Sequence, residues 1–110
     1  MRVVVKIGTS SLTTGAGDIN QASVAKLASE VAQLVGQGHQ MVVVTSAAVA
    51  VGLGPLGFGP GSRPRDADVL RAASAIGQIG LMAPYQAALA ANGLGAGQVL
   101  LAPTDLWYPN

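Results

Sequence analysis

The sequence predicts an α/β fold, a parallel-sheet sandwich with flanking helices, and three observations predict it. Two short β-branched runs, Val3 to Ile7 and Met41 to Val44, each open into small polar residues. Between them lies a segment with the spacing of one helix face. A long Ala-rich segment then leads to a third apolar run, Gln98 to Leu101. Strand, helix, strand, helices, strand in that order is the pattern of a parallel sheet joined by right-handed crossovers. With 110 residues and 50% hydrophobic content, residues 1–110 form one domain. At this length a domain buries roughly two thirds of its unfolded surface, and a second one does not fit.

Val3 to Ile7 ends in Gly8 and reads as a buried strand running into a turn. Thr9 to Gly17, rich in Thr, Ser and Gly, reads as a loop. From Gln21 onward Val24, Leu27, Ala28, Val31, Leu34 and Val35 recur at helical spacing. Asn20 suits the cap of that helix, and Gly36 and Gly38 suit its end. Met41 to Val44 is the second strand, and the small residues Thr45-Ser46-Ala47-Ala48 after it can start another helix. Gly52 to Pro64 carries five Gly and three Pro in thirteen residues, so loop or broken helix is expected. The segments on either side are too short for a core of their own, so this loop is no domain boundary. Asp66 precedes a helix from Ala67 to Asn92, in which Val69, Leu70, Ala73, Ile76, Gly77 and Leu81 keep helical spacing and Pro84 is expected to kink or divide it.

Six Lys plus Arg against five Asp plus Glu give a net charge of +1, too small and too dispersed to attract polyanions, so nucleic acid is not an expected partner. There is no cysteine, which excludes a disulfide framework and a cysteine-type zinc site and suits a reducing cytoplasm. The opening Met1-Arg2-Val3-Val4-Val5-Lys6 has too short an apolar run for a signal-peptide core or a membrane span. A cytoplasmic protein without membrane partners is expected.

In open parallel sheets, ligands bind beyond the carboxyl ends of the strands. Two polar clusters fall there, Lys6-Ile7-Gly8-Thr9-Ser10-Ser11 and Thr45-Ser46-Ala47-Ala48. A lysine at a strand end, followed by a glycine that lets the backbone approach an anion, suits transferring phosphate oxygens. Backbone N–H groups at the next helix start add neutralisation. Taken alone, Lys6 reads first as a solvated strand-end lysine. No Gly-Lys pair follows the first strand, which rejects the P-loop, and no glycine follows Gly8 two residues on, which rejects the dinucleotide fingerprint.

The segment Val3-Val4-Val5-Lys6-Ile7-Gly8-Thr9-Ser10-Ser11-Leu12-Thr13 resembles the opening strand and phosphate loop of the glutamate 5-kinase family, within the amino-acid kinases. Gly38-His39-Gln40-Met41-Val42-Val43-Val44-Thr45-Ser46 resembles the second strand of that family. Ala72-Ala73-Ser74-Ala75-Ile76-Gly77-Gln78, then Leu81-Met82 and Tyr85, resemble its long helix, and Gly97-Gln98-Val99-Leu100-Leu101 its next strand. The similarity runs to about Asp105.

The resemblance implies transfer of the ATP γ-phosphoryl group, with Mg2+, to the side-chain carboxylate of L-glutamate, on the path to proline. By the same resemblance Lys6 is the catalytic cation on the phosphates, and Gly8, Thr9 and Ser10 line the phosphate cradle with it. Ser46 and the backbone at Ala47 and Ala48 meet the glutamate. No metal ligand is implied in this chain. The resemblance makes it the amino-terminal, amino-acid-binding part of the kinase domain. The nucleotide-binding half, the later Asp and Asn that bind glutamate, and an accessory carboxyl-terminal domain lie outside it. Such a piece is expected to leave apolar faces uncovered and to self-associate or form a homo-oligomer.

Three departures stand out. The family has Ser-Gly-Ala where this chain has Ser46-Ala47-Ala48, so a methyl group at position 47 is expected to crowd the site. Ala102 replaces a Thr, and the closing Leu106-Trp107-Tyr108-Pro109-Asn110 does not match. Two other readings remain: a carbamate, acetylglutamate, uridylate or aspartate kinase, and a non-catalytic assembly module. The remaining candidates carry structural readings. His39 is a turn residue, Arg63 and Arg65 belong to a solvated loop, Asp18 and Asp66 are turn or cap residues, Met82 and Tyr85 are core or interface, and Trp107 and Tyr108 carry no chemistry.

Overall fold

The structure, a computed structural model, describes residues 1–14, 18–59 and 62–100. The readings of Leu101, Ala102, Asp105, Trp107 and Tyr108 lie outside those residues. The described chain runs β1 (Arg2–Ile7), α1 (Thr9–Leu12), α2 (Gln21–Gly36), β2 (Gln40–Thr45), α3 (Ala48–Leu53) and α4 (Ala67–Ala91). β1 and β2 pair in parallel, in register from Arg2 opposite Gln40 to Ile7 opposite Thr45. Both strands therefore end at the same edge.

The period of two along each strand divides the sheet into unlike faces. Val3, Val5, Ile7, Met41, Val43 and Thr45 are half-buried on the face toward the helices, whereas Arg2, Val4, Lys6, Gln40, Val42 and Val44 are exposed. The expected sandwich is therefore corrected: among the described residues the fold is a two-stranded parallel sheet with helices over one face. Val4 (64% exposed), Val42 (46%) and Val44 (43%) leave an apolar outer face, as expected of an incompletely covered sheet. The third strand is corrected as well. Gln98 to Leu100 is not a strand, Val99 and Leu100 are exposed, and the Gln98 side chain bonds that of Gln78 on α4 at 3.0 Å. An apolar run becomes a strand only where a ladder partner and a buried face receive it.

Local chemistry explains the helices. The Asn20 side chain accepts from the Ser23 N–H at 3.2 Å and starts α2. Its end is a Schellman motif: Gly38 takes φ +92°, its N–H donates to the Val35 carbonyl at 2.9 Å, and the His39 N–H donates to the Leu34 carbonyl at 3.1 Å. Only glycine adopts that φ without strain. α4 repeats the scheme, with Asp66 Oδ1 accepting from Asp68 and Val69 at 2.8 and 3.2 Å and Gly93 at φ +76° closing the end. Pro84 does not divide α4, which runs unbroken through it; the missing N–H leaves the Gly80 carbonyl without its usual partner. Thr9 to Leu12, expected as loop, forms one helical turn, and a bridge between Thr13 and Ile19 closes the loop behind it.

The glycine-rich stretch begins inside a helix, because Gly52 belongs to α3. A Cβ at Gly52 would overlap the backbone of Ala73, and one at Gly77 would overlap that of Ala48. Both glycines exist to let α3 and α4 touch backbone to backbone. The core lies beneath this crossing, with Leu12, Val24, Ala47, Ala48, Leu81 and Tyr85 buried together and Ile7, Ile19, Leu27 and Ala88 packed around them.

Candidate functional site at the strand ends

Parallel pairing brings the chain after β1 and the chain after β2 to one edge, and a hydroxyl pair joins them. Thr9 Oγ1 and Ser46 Oγ stand 3.3 Å apart. Thr9 is held from behind, since the Thr13 hydroxyl donates to the Thr9 carbonyl at 2.9 Å and the Thr13 N–H to the same oxygen at 3.0 Å. Ser46 is held by its neighbours: the Ala47 N–H donates to Thr45 Oγ1 at 3.2 Å. Ser46 itself is exposed between the half-buried Thr45 and the buried Ala47.

Gly8 caps α1 with φ −73° and ψ 154°, a conformation open to any residue. What the glycine provides is space, since among the described residues no atom beyond its chain neighbours lies within 4 Å of where a Cβ would stand. Ser10 is exposed beside it. Lys6 is also exposed, opposite Val44 in register, on the uncovered face of the sheet. Its side chain makes no hydrogen bond or ion pair among the described residues, where Arg71 with Asp68 at 2.9 Å forms the one ion pair. The edge thus gathers exposed or half-exposed hydroxyl residues, Thr9, Ser10 and Ser46, beside an unobstructed backbone at Gly8, while Lys6 lies one residue before the end of β1 on the outer face of the sheet. Hydroxyls and free backbone of this kind can hold an anion by hydrogen bonding.

Ala47 corrects an expectation. It takes φ −74° and ψ −10°, needs no glycine, and is 0% exposed within the core cluster. Its methyl group therefore packs inward and does not crowd the site. Its N–H is already engaged by Thr45. Ala48 is buried as well, at the start of α3. Of the second cluster, Ser46 alone presents a side chain to the edge.

Sequence reasoning gave Thr13 no role and took Thr45 only as a member of the second polar cluster. A Thr two residues ahead of a buried residue at a helix start is the signature of a hydroxyl-to-amide turn, and that signal was available. The readings of Asp66 as a cap, Tyr85 as core and His39 as a turn residue agree with the geometry. Arg63 and Arg65 are exposed.

A cavity of about 450 Å³ lies between α2, β2 and the second half of α4, lined by Val31, Val43, Met82, Tyr85 and Leu89 among others. It is apolar, it reaches the strand ends only at Thr45, and none of Lys6, Gly8, Thr9, Ser10 or Ser46 lines it. The Tyr85 hydroxyl and His39 Nδ1 are buried without hydrogen-bond partners among the described residues. Burial pushes the Tyr85 phenol above its ordinary value of 10.0. Among the described residues no three His, Cys, Asp or Glu side chains converge as a metal site would require, and no helix is long and apolar enough to cross a membrane.

Comparison with known proteins gives the family. The amino acid kinase family profile matches residues 1–109. Over 105 residues, 96% of this chain, it is 46% identical to a glutamate 5-kinase of Salinispora arenicola (strain CNS-205). It is 44% identical to one of Streptomyces coelicolor and 38% identical to one of Methylibium petroleiphilum, again over 105 residues each. The chain spans 28% of the length of these relatives. The chain belongs to the amino acid kinase family.

Proposed function

We propose that this chain is the amino-acid-binding part of a glutamate 5-kinase, and that the joined ends of β1 and β2 hold the reacting groups. The observation that carries the reading is the 3.3 Å approach of Thr9 and Ser46, which puts the phosphate-type cluster and the substrate-type cluster side by side. In the reaction a carboxylate oxygen of L-glutamate forms a bond to the γ-phosphorus of ATP. The bond from that phosphorus to the β–γ bridging oxygen breaks, and ADP leaves with the electron pair.

Both reactants are anions, so the protein's task is positioning and charge stabilisation. Lys6 supplies positive charge to the phosphoryl oxygens, while Gly8, Thr9 and Ser10 accommodate the phosphate chain. Ser46 holds the amino-acid substrate, and the backbone at Ala47 and Ala48 fixes where Ser46 stands. Magnesium would arrive with the nucleotide and neutralise phosphate charge; the hydroxyls of Thr9 and Ser10 would be the groups of this chain beside that phosphate. The adenosine contacts and further glutamate contacts are assigned to sequence beyond the 28% of the relatives that this chain spans. A cytoplasmic setting and self-association over Val4, Val42 and Val44 belong to the same reading.

The test is a chimera in which this chain replaces the aligned stretch of the Salinispora relative, assayed with ATP, magnesium, hydroxylamine and a panel of amino acids. Hydroxamate formed with L-glutamate alone is expected. Product with carbamate, acetylglutamate or aspartate as the preferred acceptor would assign another kinase of the family. A folded chimera that traps no acyl phosphate would leave the chain as a non-catalytic module.

A further inference from the structure

Thr45 stands where three parts of the fold meet. It is the last residue of β2, in register with Ile7 of β1. It is half-buried on the helix-facing side and lines the apolar cavity with Val43 and Tyr85. Its hydroxyl oxygen accepts the Ala47 N–H at 3.2 Å. A β-branched side chain divides these tasks naturally, with methyl for packing and oxygen for the backbone.

The consequence falls on the residue between. Ser46 is flanked by a residue locked in the strand ladder and by one fully buried in the core, and the Thr45 hydroxyl ties those two together across it. That leaves Ser46 one direction, outward at the edge, where its Oγ meets Thr9 Oγ1. Without the Thr45 oxygen the Ala47 N–H loses its acceptor, and the turn that aims Ser46 has nothing to close it.

We propose that Thr45 is a positioning residue for Ser46: its hydroxyl fixes the turn that presents Ser46 to the amino-acid carboxylate. The inference rests on the kinase reading above and deepens it.

Thr45→Val keeps the shape and the methyl group but replaces the hydroxyl with a second methyl, and Thr45→Ser keeps the oxygen. Both are made in the chimera described above and assayed for glutamate-dependent acyl phosphate, with thermal melting as a folding control. For Thr45→Val, kcat/KM for L-glutamate is expected to fall about 10- to 100-fold, the scale of a small misplacement of a reacting group. The KM for ATP should stay within about twofold, and Thr45→Ser should return kcat/KM to within about threefold of the parent. A second readout uses the 110-residue chain itself: amide exchange at Ala47 should quicken in Thr45→Val and not in Thr45→Ser. Parental kinetics in a folded Thr45→Val chimera overturn the proposal. A loss that serine does not rescue overturns it too, because the methyl packing is then what matters. If the parent chimera traps no glutamyl phosphate, the kinase reading fails and this proposal with it, which separates the two failures.

Discussion

Thr9 and Ser46, 37 positions apart in the chain, place their hydroxyl oxygens 3.3 Å from one another. The contact exists because two parallel strands end in register and each is followed at once by a short helix. An anionic oxygen lying over the pair would be within reach of both hydroxyls. Replacing Ser46 by Ala in the chimera should raise the KM for L-glutamate about tenfold, the value of one hydrogen bond to a charged group. The KM for ATP should hardly move. Steady-state kinetics with each substrate varied in turn check this.

Lys6 should separate activity from stability. It is exposed, with no partner among the described residues, so Lys6→Met should leave the melting temperature of the chain unchanged. In the chimera the same change should lower kcat about 100- to 1,000-fold, the scale of losing one charge stabiliser at a transferring group. Lys6→Arg should recover part of it, since a planar fork replaces a point charge.

The crossing of α3 and α4 gives a stability prediction without reference to function. Gly52→Ala and Gly77→Ala each drive a methyl group into backbone of the facing helix, and rigid backbone cannot step aside. Each should destabilise the chain by about 3 kcal/mol, the upper range for overpacking. Gly36→Ala, with nothing within 4 Å of the added carbon, should instead stabilise it by about 0.5–1 kcal/mol through helix propensity. Urea unfolding of the three variants reads the difference.

Tyr85 sets an alkaline limit. Its folded-state ionisation is raised above the ordinary value of 10.0 by burial, so the neutral phenol is the form the fold prefers. Its contribution is complete below the unfolded value and is lost as pH rises through the folded one. Stability should therefore decline above about pH 10. Tyr85→Phe should remove that decline and be nearly neutral at pH 7, because the hydroxyl has no hydrogen-bond partner among the described residues to lose. Unfolding measured as a function of pH, for both forms, tests the sign.

Elements specified by neighbours in the chain were legible in the sequence. Asn20, Gly38 and Asp66 announce the ends of α2 and α4 because a cap is a contact within three or four residues. Val3 to Ile7 and Met41 to Val44 read as strands and are strands. What depends on distant partners was not legible. Gly52 reads as a helix breaker, yet it lies within α3 because Ala73 approaches there. Gln98 to Leu100 reads as a strand, yet it has no ladder partner among the described residues. At the site, the resemblance pointed to Lys6, Gly8, Thr9, Ser10, Ser46, Ala47 and Ala48; the hydroxyl bonds of Thr13 and Thr45 are local and the sequence carried their signal, whereas the meeting of Thr9 with Ser46 emerges only when the two loops are seen side by side.

On the proposed function, the amino acid and the transferring phosphate meet at the shared end of β1 and β2. A crystal structure of the chimera with L-glutamate and a non-hydrolysable ATP analogue decides it. The terminal phosphate should lie against Lys6, Gly8 and Thr9, with the glutamate side chain against Ser46. Both ligands bound away from that edge, with Lys6 and Ser46 still open to solvent, would contradict it.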